Sequence, residues 1–122
     1  MTKLLDIQVV RELALIEVSP GDSLLPHFLE TFAGDAGASL ERMRAQARVA
    51  DPRVLAREAH RLKGGSTSIG AIQLASELAE IELSARAGAI ADLEAHIARA
   101  LELLYASCDA ILFLCHRPLP RR

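Results

Sequence analysis

The chain has 122 residues and a formal net charge of -2, so one domain is the natural count and no basic footprint for nucleic acid is present. Hydrophobic residues make up 51% of it, but aromatics only 3% and tryptophan is absent; a core of Leu, Ile, Val and Ala suits closely packed helices. No apolar run is long enough to span a bilayer, and MTKLLDIQVVRELAL lacks the small-residue cleavage site of a signal peptide, so the expectation is a cytoplasmic chain without membrane contact.

Residues 4–18 read as a short amphipathic helix or helix pair, with Asp6 as its cap and Ile7, Val10, Leu13 and Ala14 inward. Ser19-Pro20-Gly21 is a turn. Asp22 or Ser23 starts a second helix, with Pro26 still in its first turn. Leu25, Phe28, Leu29 and Phe32 give that helix an inward stripe. Gly34 and Gly37 weaken its middle, and Leu40, Met43, Ala47 and Ala50 resume an apolar phase. Residues 23–49 are thus one bent helix or two, and the reading favours two elements joined around Gly34.

Asp51 and Pro52 form a clean helix start, one capping free N–H groups and the other suited to the first helical position. Leu55, Ala59, Leu62, Ser66 and Ile69 then fall on one stripe, within roughly 40° of Leu55 at about 100° per residue. Glu58 marks the polar edge. His60, Lys63, Gly64 and Thr67 fall on the opposite side, roughly 80° to 180° away. Gly64 and Gly65 would each cost about 1 kcal/mol inside a helix. Either the helix stops there, or it continues and Gly64 clears the approach to His60. The stripe holds its phase across the glycines, which predicts continuation to about Ser68.

Gly70 marks a short connection before a helix over 71–87, with Leu74, Leu78, Ile81 and Ala85 as its core face. Ile72, Ala79 and Leu83 form a second face. Gly88 ends this helix. The last and longest helix spans 89–114, with Leu93, Ile97, Ala100, Leu104, Cys108, Ile111 and Cys115 in phase. Cys108 and Cys115 would lie about 10 Å apart on that helix, too far for a disulfide. No alternating run signals a strand. The fold class is all-α: an antiparallel four-helix bundle over 1–115 with an additional short N-terminal helix or helices. Residues 116–122 form a basic, proline-containing tail that is expected to be disordered.

His60 is the candidate nucleophile. An exposed imidazole is near neutral at pH 7 and keeps one free ring nitrogen. Lys63, one turn on, is a cation able to pair with an anionic group placed beside the imidazole. Ser66 faces the core and is better placed to bond a backbone carbonyl. His27, His96 and His116 lack such surroundings, and no second ligand stands at metal spacing. The glycines lack the spacing of a nucleotide-binding loop. Glu58, Glu77, Glu80, Glu82 and Glu94 are read as solvated helix surface.

His60-Arg-Leu62-Lys63-Gly64-Gly-Ser66, followed by Gly70-Ala71, Leu74, Ile81-Glu82 and Arg86-Ala-Gly88, resembles the signature of histidine-containing phosphotransfer (HPt) domains. Leu5-Asp6, Phe28 to Phe32 and Asp51 extend the likeness upstream. Glu77 departs from it, since the family more often has an apolar residue there. The resemblance implies a phosphohistidine intermediate, not an enzyme with its own kinase machinery. Its partners would be response-regulator receiver domains, including those of a hybrid sensor kinase. It would be a monomer with no cofactor of its own, the receiver supplying Mg²⁺. His60 would carry the phosphoryl group, with Lys63, Gly64 and Thr67 stabilising it or docking the partner. Two rivals stand against this reading. A kinase dimerisation helix pair would carry a proline soon after the histidine, where Lys63-Gly64-Gly65 stands here. A non-phosphorylated helical adaptor that docks receivers or another signalling enzyme is separated only by the chemistry of His60.

Overall fold

A computed structural model describes residues 3–116, without the side chain of His116; the proposed tail from 117 onward lies outside the described residues. The order is α1 (Ile7–Ala14), β1 (Glu17–Ser19), β2 (Asp22–Ser23), α2 (Leu24–Gln46), α3 (Pro52–Ser68), α4 (Ile72–Ala87) and α5 (Ile90–His116). The last four helices close into a bundle: α3 packs on α4, α4 on α5, α5 on α2, and α2 on α3. Short connections make sequential neighbours antiparallel. Leu29, Leu40, Leu62, Ile81, Ile97 and Leu104 are among the fully buried side chains at its centre.

The starts and stops follow the local chemistry. Ser23 accepts from the Leu25 N–H and Asp51 from the Arg53 N–H, and Pro52 opens α3. Gly70 at φ +82° follows the end of α3, and Gly88 at φ +71° ends α4 in the left-handed conformation. Gly70 also ties in the N-terminus: its carbonyl accepts from the Asp6 N–H at 2.7 Å. Asp6 in turn caps α1 through the Val9 N–H.

Three sequence expectations change. First, residues 24–46 form one helix, not two joined at Gly34. Leu25, Leu29, Phe32, Ala36, Leu40, Met43 and Ala47 are all buried and in register. That continuous face outweighs the roughly 2 kcal/mol that two helical glycines cost. Gly37 also sits in the α2–α5 contact, where the space beside it is filled by Leu104 and Tyr105. Second, a small antiparallel hairpin pairs Glu17 with Ser23 and Ser19 with Asp22. Pro20 and Gly21, at φ +80°, match the two central positions of a type II turn. Its strands are too short to show a period-2 signal, and the fold remains all-α. Third, Phe28 and Ile7, expected inward, are 44% and 40% exposed.

The departure at Glu77 has a structural answer. Its side chain is 12% exposed and accepts from His96 Nδ1 at 2.5 Å and pairs with Arg99 Nε at 3.6 Å, joining α4 to α5. Cys108 and Cys115 are free thiols; burial pushes the Cys108 thiol up to about 11.

Candidate functional site

Helix α3 runs unbroken from Pro52 to Ser68, across both glycines. Leu55, Ala59, Leu62 and Ser66 are buried on its inner stripe. The glycines stand about 100° apart around the axis, and their surroundings differ. Nothing lies within 4 Å of where a Gly64 Cβ would sit, so that face is open. A Gly65 Cβ would come within 2.8 Å of Phe32 Cε1 and 3.2 Å of Cδ1. Gly65 is what lets the buried Phe32 ring of α2 lie against α3. At the helix end, Ser66, Thr67 and Ser68 each donate a hydroxyl hydrogen bond to the carbonyl four residues back.

The outward face places His60 with its side chain 66% exposed. Its Nδ1 lies 3.2 Å from Glu82 Oε1 on α4, and Arg86 Nη2 lies 2.9 Å from Glu82 Oε2. The Arg86 guanidinium first, and His60 after it, hold the Glu82 carboxyl below its ordinary value against the opposing effect of burial. An ionised carboxylate only accepts hydrogen bonds. Nδ1 therefore carries the proton in the neutral ring, which leaves the lone pair on Nε2. Chemically, such an imidazole can act as a nucleophile through Nε2, with the Glu82 carboxylate behind it.

Lys63 is half-buried one turn beyond His60, with no ion pair among the described residues. Gly64 is beside it. Thr67 is exposed two turns from His60, about 10 Å along the axis, and its hydroxyl donates to the Lys63 carbonyl at 3.0 Å. Further along α3, Ser68 joins Leu13, Leu24, Leu25 and the exposed Phe28 around an apolar pocket of about 140 Å³.

Glu82 and Arg86 are the residues that helical phase alone misses. Both belong to the stretch that carries the family resemblance, but only the α3–α4 packing brings Glu82 to a histidine 22 residues away. Glu82 is 16% exposed at its side chain, not solvated surface. The same correction holds for Glu58 and Glu77, and Glu58 accepts from Ser39 and Arg61; Glu94, its side chain 38% exposed in a surface pair with Arg48, and the exposed Glu80 are surface as expected. Arg61 also reaches Asp35 at 2.9 Å, so this network joins α2 to α3. Among the described residues, no group of three His, Cys, Asp or Glu is placed to hold a metal ion, and no helix is long and apolar enough to cross a membrane.

His27 is also exposed and paired with a carboxylate, Asp22, at 3.1 Å, so exposure and a carboxylate do not by themselves single out a histidine. The all-α bundle that carries His60 beside Lys63 and the open Gly64 fits a phosphotransfer class. The Hpt domain model matches residues 27–111. The chain belongs to the Hpt domain family and serves phosphotransfer in phosphorelays. It is similar to histidine-containing phosphotransfer protein B (HptB) from Pseudomonas aeruginosa PAO1, known from a crystal structure, with 28% identity and a TM-score of 0.78 over 98% of this chain and 100% of that one. No curated protein gives a significant match.

Proposed function

We propose that the chain is a phosphohistidine intermediate, loaded and discharged at His60 by aspartates of receiver domains. The observation that carries this reading is the His60 ring held by Glu82 through Nδ1 while its side chain stays 66% exposed. In loading, the Nε2 lone pair attacks the phosphorus of an aspartyl phosphate. The P–O bond to the aspartate breaks, and the carboxylate leaves with the electron pair. The proton on Nδ1 stays in place, and the positive charge that develops on the ring faces Glu82. Discharge is the reverse step on a second receiver.

Lys63 offsets the charge of the phosphoryl group, and Gly64 leaves room for the incoming domain. Thr67 and the apolar pocket beside Phe28 are too far along α3 to touch the phosphoryl group and serve docking. The receiver supplies Mg²⁺ and the activating groups, so the chain acts as a monomeric carrier without kinase machinery or a cofactor of its own. Its place is the cytoplasm, where a receiver, free or part of a hybrid sensor kinase, meets it.

The test is label transfer from a phosphorylated receiver with Mg²⁺. Wild type gains acid-labile, base-stable label, and His60→Gln gains none while keeping its helical circular dichroism. Label persisting in His60→Gln would overturn the site. A wild type that takes label from none of a broad receiver panel, while still binding receivers, would favour the adaptor reading.

A further inference from the structure

The outward face of α3 continues N-terminal of His60. Arg53 lies about 20° and Arg57 about 60° around the axis from His60, on the same side. With Asp51 and Arg86 they line an open cleft between the start of α3 and the end of α4. Three guanidinium groups face one carboxylate there, in a chain whose formal net charge is -2. Arg53 is 86% exposed at its side chain and reaches only the helix-capping Asp51. Arg86 holds Glu82. Arg57 is exposed and forms no ion pair among the described residues.

Helix capping accounts for Arg53 but not for Arg57. The start of a helix is the positive end of its macrodipole and favours acids. At α3 that acid is the capping Asp51, which also pairs with Arg53, while Arg57 stands past the first turn. Arg57 has no such part at the helix start, and its exposed guanidinium is left to meet a partner.

We propose that the Arg53–Arg57–Arg86 cleft seats the carboxylate rim around a receiver's phosphorylation site and steers that rim onto His60. This deepens the phosphocarrier reading and rests on it. A domain that presents an aspartate and holds Mg²⁺ must bring carboxylates to the same edge, because Mg²⁺ takes oxygen ligands and is commonly held by one or two carboxylates. Guanidinium forks match carboxylates in geometry and charge. The cleft begins one helical turn from His60, so the rim reaches it when the phosphorus reaches Nε2. Its field acts before contact and raises the encounter rate, and salt screens it.

The experiment loads the full chain with phosphoramidate, a small phosphoryl donor that needs no docking. It then measures the second-order rate of discharge to a receiver with Mg²⁺, each variant corrected for its own spontaneous hydrolysis. Arg53→Gln/Arg57→Gln should discharge about tenfold slower at low ionic strength, and the gap should close to about twofold at high salt. Arg53→Lys/Arg57→Lys, which keeps both charges, should hold most of the wild-type rate. Arg44→Gln, on α2 and paired with Glu41, should match wild type. Arg86 stays unaltered because it anchors Glu82. A double variant with the wild-type rate and salt slope would remove the cleft proposal alone, as would a loss of equal size at every salt concentration. If wild type loads but discharges to no receiver in a broad panel, the carrier reading falls and takes this proposal with it.

Discussion

Identical Gly→Ala changes at two adjacent positions of α3 should act in opposite directions. Both residues are helical, so each change brings the same propensity gain of up to about 1 kcal/mol. At Gly64 the new methyl meets nothing within 4 Å, and that gain stands. At Gly65 the methyl would sit 2.8 Å from Phe32 Cε1, where carbon atoms rest at about 3.5–4.0 Å. Relief needs a shift of about 0.7 Å or more. Phe32 is 8% exposed and held between α2 and α3, so the ring cannot simply swing away. Overpacking of this kind costs about 1–3 kcal/mol. Gly65→Ala should therefore be about 1–3 kcal/mol less stable than Gly64→Ala, a difference in which propensity cancels. In a thermal melt followed by circular dichroism, each kcal/mol should read as about 3–6 °C for a domain of this size. Introducing Phe32→Leu in both backgrounds should shrink the difference, a double-mutant cycle that isolates the ring contact. Equal stabilities for the two alanine variants, or a gap untouched by Phe32→Leu, would refute the reasoning.

Lys63→Ala should keep the fold and slow phosphotransfer by up to about fivefold, the worth of an exposed ion pair of up to about 1 kcal/mol; a time course of label transfer and of phosphohistidine decay checks it. Gly70→Ala should destabilise by at least about 2 kcal/mol, since its φ of +82° strains any other residue and a Cβ would meet the Asp6 carbonyl oxygen at 2.9 Å; the urea midpoint reads it. The Arg61 guanidinium first, then the Ser39 hydroxyl, hold the Glu58 carboxyl below its ordinary value near 4.5. A lowered carboxyl pKa adds stability that is fully present above the ordinary value and is lost as pH falls through the lowered one. Glu58→Gln should therefore flatten the acid decline of stability below about pH 4.5, which denaturant melts across pH will show.

Much of α3 was legible because its signals are local. Asp51 and Pro52 mark the start within two residues, and a stripe in phase across Gly64 and Gly65 predicts the unbroken helix that the structure has. His60 falls outward by the same phase. What was not legible depends on other helices. Gly34 read as a breaker because local propensity weighs a glycine without the α5 surface that buries the face of α2. Phe28 read as core because its stripe neighbours Leu25 and Leu29 are core; it lies on the flank, where α1 and the end of α3 leave an apolar pocket half open. The acidic residues read as solvated because their partners sit on neighbouring helices or beside packed ones. Ser39 meets Glu58 across the α2–α3 contact, and His96 meets Glu77 across the α4–α5 contact.

The way α3 is held bears on how a phosphoryl group could be passed with little motion. Gly65 and Phe32 set its distance from α2, and the Ser39–Glu58 and Arg61–Asp35 bonds resist rotation about its own axis. On the other side Glu82 fixes the imidazole itself from α4, and Arg86 fixes Glu82. These constraints come from α2 on one side and α4 on the other, so His60 needs no partner to reach its orientation. A site carried on packed helices and supported this way is preorganised. Nε2, the open space at Gly64 and the arginines of the cleft are then presented together, and a receiver can meet them as a rigid body. Loosening any one support, Glu82 above all, should leave the bundle folded and cost the alignment between Nε2 and the incoming phosphorus, to which in-line transfer is most sensitive.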